Sequence, residues 1–149
     1  MPTFYNDVDS RLEAALENLV TTQKSVSGSN ISSVAVHTGL SSENVPEDII
    51  VCFAESAQET ISGTGTWTVS CSVMIYSSAD STGLAAHRLR VSEVRDVFMD
   101  TDIVTTVNAD NTEVLTAIAF QNFSFSQRAE ERHFVGEITF DVICYGSES

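Results

Sequence analysis

The sequence is poor in cationic residues. Only seven of its 149 residues are Lys or Arg, against 21 Asp and Glu, which gives a formal net charge of −14. A protein that grips DNA or an anionic membrane needs a clustered basic face to displace counterions. The only cluster here is Arg88, Arg90 and Arg95, which share one predicted helix with acidic residues. The charge therefore predicts neither specific DNA binding nor membrane binding.

Cysteines and long apolar runs are also scarce. Cys52, Cys71 and Cys144 lie in strand-like segments, and none of them belongs to a C-x-x-C pair. An odd number without paired spacing does not indicate a disulfide framework, so we interpret them as small buried hydrophobic residues. No apolar run reaches the ~20 residues of a membrane-spanning helix. The first residues also lack the pattern of a secretory signal, and we expect a chain that is made in a cytoplasm.

No recognisable catalytic or cofactor motif occurs in the chain. Gly63 and Gly65 precede a strand rather than a helix, so they do not match a phosphate-binding loop. The nucleophile motif G-x-S-x-G is absent. His37, His87 and His133 lie in separate elements without a second ligand at metal-binding spacing. We predict no catalytic residue, no cofactor and no metal site, and we interpret His87 as a hydrogen-bonded, partly buried side chain.

Apolar residues at helical spacing predict two helices. The first covers residues 5–20, with Glu13 and Glu17 on its outer face. Its inner face comprises Val8, Leu12, Ala15, Leu16 and Leu19. The second covers residues 84–98 and follows Gly83. Its inner stripe comprises Leu84, His87, Val91, Val94 and Phe98.

Alternation of apolar and polar residues predicts the strands. The central strand covers residues 67–76, and one of its faces comprises Trp67, Val69, Cys71, Val73 and Ile75. Residues 49–53 form a short run typical of a strand buried on both faces. Residues 31–37 give a weak strand signal. Segments 21–30, 41–48 and 54–66 are predicted to be loops, the last one joining antiparallel strands. Residues 103–107 fit either a short strand or a helical turn.

A long hairpin is predicted at the C-terminal end. Its first strand lies within residues 114–125, with Ile118 and Phe120 facing inward. A bulge there would produce a switch of face before Phe123 and Phe125. The returning strand covers residues 134–145 and directs Ile138, Phe140, Val142 and Cys144 to one side. The polar residues 127–132 form the hairpin end.

These elements predict one α+β domain over residues 1–149. Strands and helices are mixed without the regular alternation of a parallel sheet. We therefore expect an antiparallel or mixed sheet, two helices packed on one of its faces, and the long C-terminal hairpin.

The order of these elements resembles the tail-terminator, or tail-completion, proteins of long-tailed viruses. The resemblance extends over roughly residues 5–145. It is carried by "VSCSVMIYSSADSTGLAAHRLRVSEV" (residues 69–94) and by "RAEERHFVGEITFDVICYG" (residues 128–146). It rests on the pattern of elements, because the family has no signature motif whose residues could be transferred to this chain.

The resemblance implies a structural virion protein without enzymatic activity. The resemblance implies a six-fold homo-oligomeric ring that caps the tail tube and stops its polymerisation. The ring joins the tail to the head-side connector or stopper protein, and DNA passes through it without specific binding. The protein would be assembled in the host cytoplasm and reside in the neck or tail of the virion.

A cyclic ring uses heterologous interfaces, in which one patch meets a different patch of the neighbour. Open sheet edges and the hairpin end are the expected contacts. The candidate assembly residues are Gln127, Arg128, Glu130, Glu131 and Arg132. Six copies at −14 each would carry −84, and acidic residues in the hole, which the sequence does not identify, would repel DNA. Unchanged DNA ejection after neutralising the acids that line the hole would contradict this hypothesis.

Two alternatives remain open at this point. One is another neck, connector or tail-tube component. The other belongs to a different class, a small α+β ligand-binding domain or enzyme, which would need a concave apolar pocket with converging polar groups.

Overall fold

Three helices and five strands make up the part of the chain that the computed structural model describes, residues 4–39, 48–61, 65–110, 115–130 and 132–146. The elements, in order, are α1 (Phe4–Lys24), β1 (Ala35–Thr38), β2 (Ile49–Ile61), β3 (Thr66–Ser78), α2 (Leu84–Phe98), α3 (Ile103–Asp110), β4 (Leu115–Glu130) and β5 (His133–Gly146). The predicted α+β class is confirmed, with one helix more than expected.

All five strands belong to one mixed sheet in the order β1-β2-β3-β5-β4. Only β1 and β2 pair in parallel, and the other three pairs are antiparallel. The long central pair of β3 and β5 extends from Thr66 opposite Tyr145 to Ser78 opposite His133. Strand β4 forms one edge of the sheet. The other edge is formed by β1 and, beyond Cys52, by β2, because β1 pairs only with residues 49–52.

The three helices cover one face of the sheet. Residues that are directly opposite in neighbouring strands point to the same face, so the register defines this face from β3 and β5. Its buried strand residues are Val69, Cys71, Val73, Ile75, Ile138, Phe140, Val142 and Cys144. Trp67 is half-buried against the same core. The predicted inner faces of both strands are therefore confirmed.

Helix α1 buries Leu12, Ala15, Leu16 and Leu19, as predicted. It continues to Lys24, so the first residues of the predicted loop at 21–30 belong to the helix. The prediction for Glu13 was wrong, because its Oε2 accepts a 2.9 Å hydrogen bond from the backbone N–H of Ala54. A register shift between Ala54 and Ser56 interrupts the ladder there, and the carboxylate satisfies an edge N–H group.

Helix α2 begins at Leu84 and ends at Phe98, as predicted, and buries His87, Val91, Val94 and Phe98. Leu84 is an exception, since its side chain is 41% exposed. Residues 103–107 belong to helix α3, which settles the alternative left open by the sequence. The turn before α3 is closed by Asp100, whose carboxylate accepts a 2.9 Å hydrogen bond from the N–H of Asp102.

The predicted loop at residues 54–66 was wrong in its first part. Strand β2 continues to Ile61, which pairs with Thr66 of β3. This extension was not predicted because residues 55–60 are mainly polar. Their pairing depends on hydrogen bonds to the long partner strand. Residues 62–64 of this segment and 41–47 of the predicted connection lie outside the described residues.

Strand β4 contains two irregularities. Register shifts occur between Ala117 and Ala119 and between Gln121 and Ser124, so the predicted bulge is confirmed. Asn122 adopts a φ of 59°, which asparagine tolerates better than most residues. Phe120 and Phe123 both pack against the core. The inward prediction for Ile118 was wrong: it lies at the first shift and is 51% exposed.

Gly136 allows α2 to lie close to the sheet. A Cβ atom at this buried position would be 2.5 Å from Cγ2 of Val91. Gly136→Ala is therefore expected to lower the free energy of unfolding by about 1–3 kcal/mol through overpacking. Urea unfolding of Gly136→Ala, Val91→Ala and the double variant checks this. The double variant should lose less free energy of unfolding than the two single variants lose in sum. Strictly additive losses would contradict the close approach of Gly136 and Val91.

Candidate assembly surface

The predicted contact residues lie at the tip of the hairpin. Gln127, Arg128, Glu130 and Arg132 are exposed, and Arg128 Nε donates to Glu130 Oε1 at 2.6 Å. Glu131 lies outside the described residues. The fold thus brings Arg128 and Glu130 together as an exposed ion pair, and such pairs contribute little to stability. The involvement of these residues in assembly stays a prediction.

Both edges of the sheet are blocked at one end by side chains. On β4, the side chain of Asn108 in α3 makes the two hydrogen bonds that a neighbouring strand would make to Ala117. Its Oδ1 accepts from Ala117 N–H at 2.8 Å, and its Nδ2 donates to the Ala117 carbonyl at 3.0 Å. On β2, the Glu13 carboxylate accepts the hydrogen bond of the Ala54 N–H group. Beyond these positions, no other described strand pairs with the outer side of β2 or β4. An open strand edge can pair with another chain.

The two open edge segments lie toward opposite ends of the sheet. On β2 the open segment runs toward Ile61. Ile61 pairs with Thr66 of β3, and Thr66 pairs in turn with Tyr145 of β5. On β4 the blocked end is at Thr116, which pairs with Tyr145, and the open segment runs toward Glu130. Copies joined edge to edge would therefore be staggered, as are the tilted strands of a closed barrel.

An apolar groove of about 340 Å³ opens beside the β4 edge. Phe98, Phe120 and Phe123 form its aromatic floor. The buried ring of Phe140 packs against all three, with its centroid 5.2 Å from that of Phe98, 5.7 Å from that of Phe120 and 5.4 Å from that of Phe123. The rim includes Met99, Asp100, Thr101, Ile103, Val104 and Ile118. Met99 is 50% exposed and Ile118 51%. Exposed apolar side chains around a concave floor are typical of a contact surface.

A smaller groove of about 150 Å³ lies between the three helices, lined by residues that include Leu19, Val97 and Ile103. Within the described ranges, no group of three or more His, Cys, Asp or Glu side chains could hold a metal ion.

A partly buried polar network fixes the turn that leads into α2. The Asp48 carboxylate accepts hydrogen bonds from Ser78 N–H at 3.0 Å, Thr82 Oγ1 at 3.0 Å and Arg90 Nη1 at 2.9 Å. Burial by itself would raise the pKa of Asp48, but these hydrogen bonds and the charge of Arg90 outweigh it and lower the pKa. Asp48 thereby joins the start of β2 to the end of β3 and to α2.

His87 extends the network into the core. It is 1% exposed, its Nδ1 lies 2.8 Å from Ser77 Oγ, and its ring is 5.7 Å from that of Phe134. Burial lowers the pKa of His87, and the positive charge of Arg90 adds to this effect. The interpretation of His87 as a hydrogen-bonded side chain is confirmed, but His87 is fully rather than partly buried.

The lowered pKa of His87 predicts a dependence of stability on pH. Below about pH 6.5 the unfolded chain takes up a proton that the folded chain resists. The free energy of unfolding should therefore fall as the pH decreases from 6.5 toward the lower pKa of the folded state. Urea unfolding at pH 7.5 and 5.5 measures the loss, and His87→Gln should reduce it. An equal loss in wild type and variant would contradict the role of His87.

Glu93 of α2 holds the segment between α1 and β1. Its carboxylate accepts hydrogen bonds from Gln23 Nε2, Ser29 Oγ, and the backbone and side-chain N–H groups of Asn30. Burial acts to raise the pKa of Glu93, but these hydrogen bonds lower it overall. Glu93 thus has a structural role that the sequence did not indicate, because it lies outside the apolar stripe of α2.

All three cysteines are buried and free. Burial raises the pKa of Cys52 to about 12, with a smaller contribution from the nearby Glu17 and Glu13. Burial likewise raises the pKa of Cys144 to about 12. Their interpretation as small buried hydrophobic residues is confirmed, and their thiols are unreactive at neutral pH.

Comparison with known proteins identifies a similar fold. No protein-family model and no curated protein sequence matches the chain. A chain in a solved structure described as "Virion of native gene transfer agent (GTA) particle" superposes with a TM-score of 0.64. The match covers 91% of this chain and 95% of that chain, at 13% sequence identity. At this identity the similarity concerns the fold.

No helix in the described ranges is long and apolar enough to cross a membrane.

Proposed function

We propose that this chain is a structural protein of a phage-like particle and resides in the virion. The observation that carries the proposal is the similarity of fold to a chain of a gene transfer agent virion, which extends over nearly the full length of both chains. A likeness of this extent is more informative than a shared local motif, because it covers 91% of this chain and 95% of the other. Fold alone does not define function, so the proposal depends on the test below.

Within this class, the role that we propose is tail terminator. Copies of the chain, six in our proposal, form a ring that caps the tail tube and contacts the head-side connector, with DNA passing through the hole. Two features of the molecule support this role. The sheet has open edge segments on both sides, and an apolar groove lies beside one of them. Such different patches on one chain suit head-to-tail contacts.

Native mass spectrometry and negative-stain electron microscopy test the proposal directly. The purified protein is recorded alone and after mixing with assembled tail tubes. We expect rings with a central hole, or density that caps the ends of tubes. A monomer or dimer that ignores tube ends would contradict the terminator role.

The same experiment separates the other virion roles. A tube subunit would polymerise by itself, and a connector or stopper component would bind the head-side complex while leaving tube ends bare. The apolar groove is the one observation that favours a small-molecule binding protein instead. Its rim, however, contributes Asp100 as a charged side chain, which is less than the convergent polar groups of a typical ligand site.

A further inference from the structure

Leu89 is exposed on the outer side of α2. The buried stripe of this helix contains His87, Val91, Val94 and Phe98. At ~100° per residue, Leu89 points away from the stripe, and its side chain is 55% exposed. The neighbouring Arg88 is also exposed and makes no hydrogen bond or ion pair with another described residue. Leu89 and Arg88 together form a small apolar projection with a positive charge beside it, which we call the α2 knob.

The groove beside β4 has the complementary properties. Its floor is aromatic and its rim is apolar at Met99 and Ile118. Asp100 at the rim and Asp102 next to it are both exposed. One oxygen of Asp100 accepts the Asp102 N–H group, which fixes a carboxylate beside the opening. The groove is therefore an apolar socket with negative charge at its mouth.

The knob and the socket belong to different parts of the surface. Leu89 lies within α2 and Met99 caps its C-terminal end, ten positions later, which corresponds to ~15 Å along the helix axis. A chain therefore cannot seat its own knob in its own socket. The contact has to join two copies, and because the two patches differ it is heterologous. Heterologous contacts generate rings when the rotation closes.

We propose that the α2 knob of one copy binds in the β4-side groove of the next copy, with Arg88 facing Asp100 and Asp102. This proposal rests on the proposed ring function and specifies one of its interfaces. Chains of net charge −14 repel each other, and this repulsion is screened beyond ~8 Å at physiological salt. Local pairing of a cation with two carboxylates can therefore direct the association.

Cross-linking tests which surfaces meet. Leu89→Cys chains are mixed with Met99→Cys chains and treated with a short bis-maleimide. The native thiols are buried and should not react. Val26→Cys provides a matched control, because Val26 is 50% exposed but lies outside both patches. We expect the Leu89/Met99 mixture to give about tenfold more cross-linked dimer than the Val26/Met99 mixture, the ratio for a difference in affinity of 1.4 kcal/mol. Equal yields would overturn the proposal.

Assembly variants provide a second readout. Leu89→Asp and Ile118→Asp should each weaken self-association by about 30-fold, as expected for loss of a central contact, whereas Val26→Asp should not. Mixing the two defective chains should give a 1:1 dimer, because one intact knob and one intact socket remain. Two variants that assemble normally would overturn the proposal, and so would a mixture that stays monomeric.

These results are separable from the terminator role. If the wild type forms rings that cap tubes but the mixture of Leu89→Cys and Met99→Cys chains gives no more cross-linked dimer than the Val26→Cys control, this interface is refuted and the function stands. A specific cross-link in a protein that ignores tube ends would support the interface and refute the terminator role.

Discussion

Replacing Phe140 with Ala is expected to lower the free energy of unfolding by about 3–5 kcal/mol. Phe140 is 2% exposed, and its ring contacts those of Phe98, Phe120 and Phe123 from the centre of the cluster. Its removal leaves a cavity between β5, β4 and α2. Because Phe98, Phe120 and Phe123 line the β4-side groove, removing the ring that supports them should also weaken self-association. Urea unfolding and sedimentation measure the two effects.

Phe125 provides the control for this prediction. It belongs to the same aromatic strip, with its ring 6.3 Å from that of Phe123, but it is 42% exposed. Phe125→Ala should therefore cost less than about 1 kcal/mol, since little buried area is lost. Equal losses for the two variants would show that Phe140 is not the centre of the packing.

Removing the Asp48 carboxylate should be the next most damaging change. Asp48→Ala leaves the Arg90 guanidinium without its anion, and the Arg90 side chain is only 11% exposed. Breaking a fully buried pair costs about 3–5 kcal/mol. The Asp48 side chain is 27% exposed, so solvent reduces this figure and we expect a loss of about 2–3 kcal/mol. The transition midpoint in urea measures it.

The exposed pair of Arg95 and Asp96 provides the matched control. Its N···O distance is 3.5 Å, and the side chains are 42% and 73% exposed. Asp96→Ala should change stability by less than about 0.5 kcal/mol. The pH supplies a further check, because the pKa of Asp48 is lowered in the folded state. The contribution of Asp48 to the free energy of unfolding is fully present above the ordinary pKa of aspartate. It is lost as the pH falls through the lower pKa that Asp48 has in the folded state. An Asp48→Ala variant as stable as wild type would contradict the account of the α2 turn.

The sequence predicted the regular parts of this fold because their burial pattern is regular. Helix α2 was predicted at its observed bounds, and the inner faces of β3 and β5 followed from alternation. The distal half of β2 was missed because its residues are polar on both sides and its pairing is decided by the partner strand. The exposure of Ile118 was missed because alternation cannot locate a register shift.

The candidate assembly surface was less accessible to sequence reasoning. The hairpin end was chosen for its polarity, whereas the groove depends on how the consecutive elements α2, α3 and β4 pack against one another. Exposed Leu89 could have been recognised as a hydrophobic residue on the polar side of a helix. The edge contact of Asn108 with Ala117 and the Asp48 network involve single side chains in turns or near helix ends, where no periodic signal exists.

Tail-tube length tests the central claim most directly. Tube protein is polymerised with increasing amounts of this chain, and the length distribution is measured by electron microscopy. If the chain is a tail terminator, tubes should become shorter as its concentration rises, each with one end capped by a ring. The Leu89→Asp variant should leave tubes as long as those formed by tube protein alone. Tubes of normal length with bare ends at saturating wild-type protein would contradict the account.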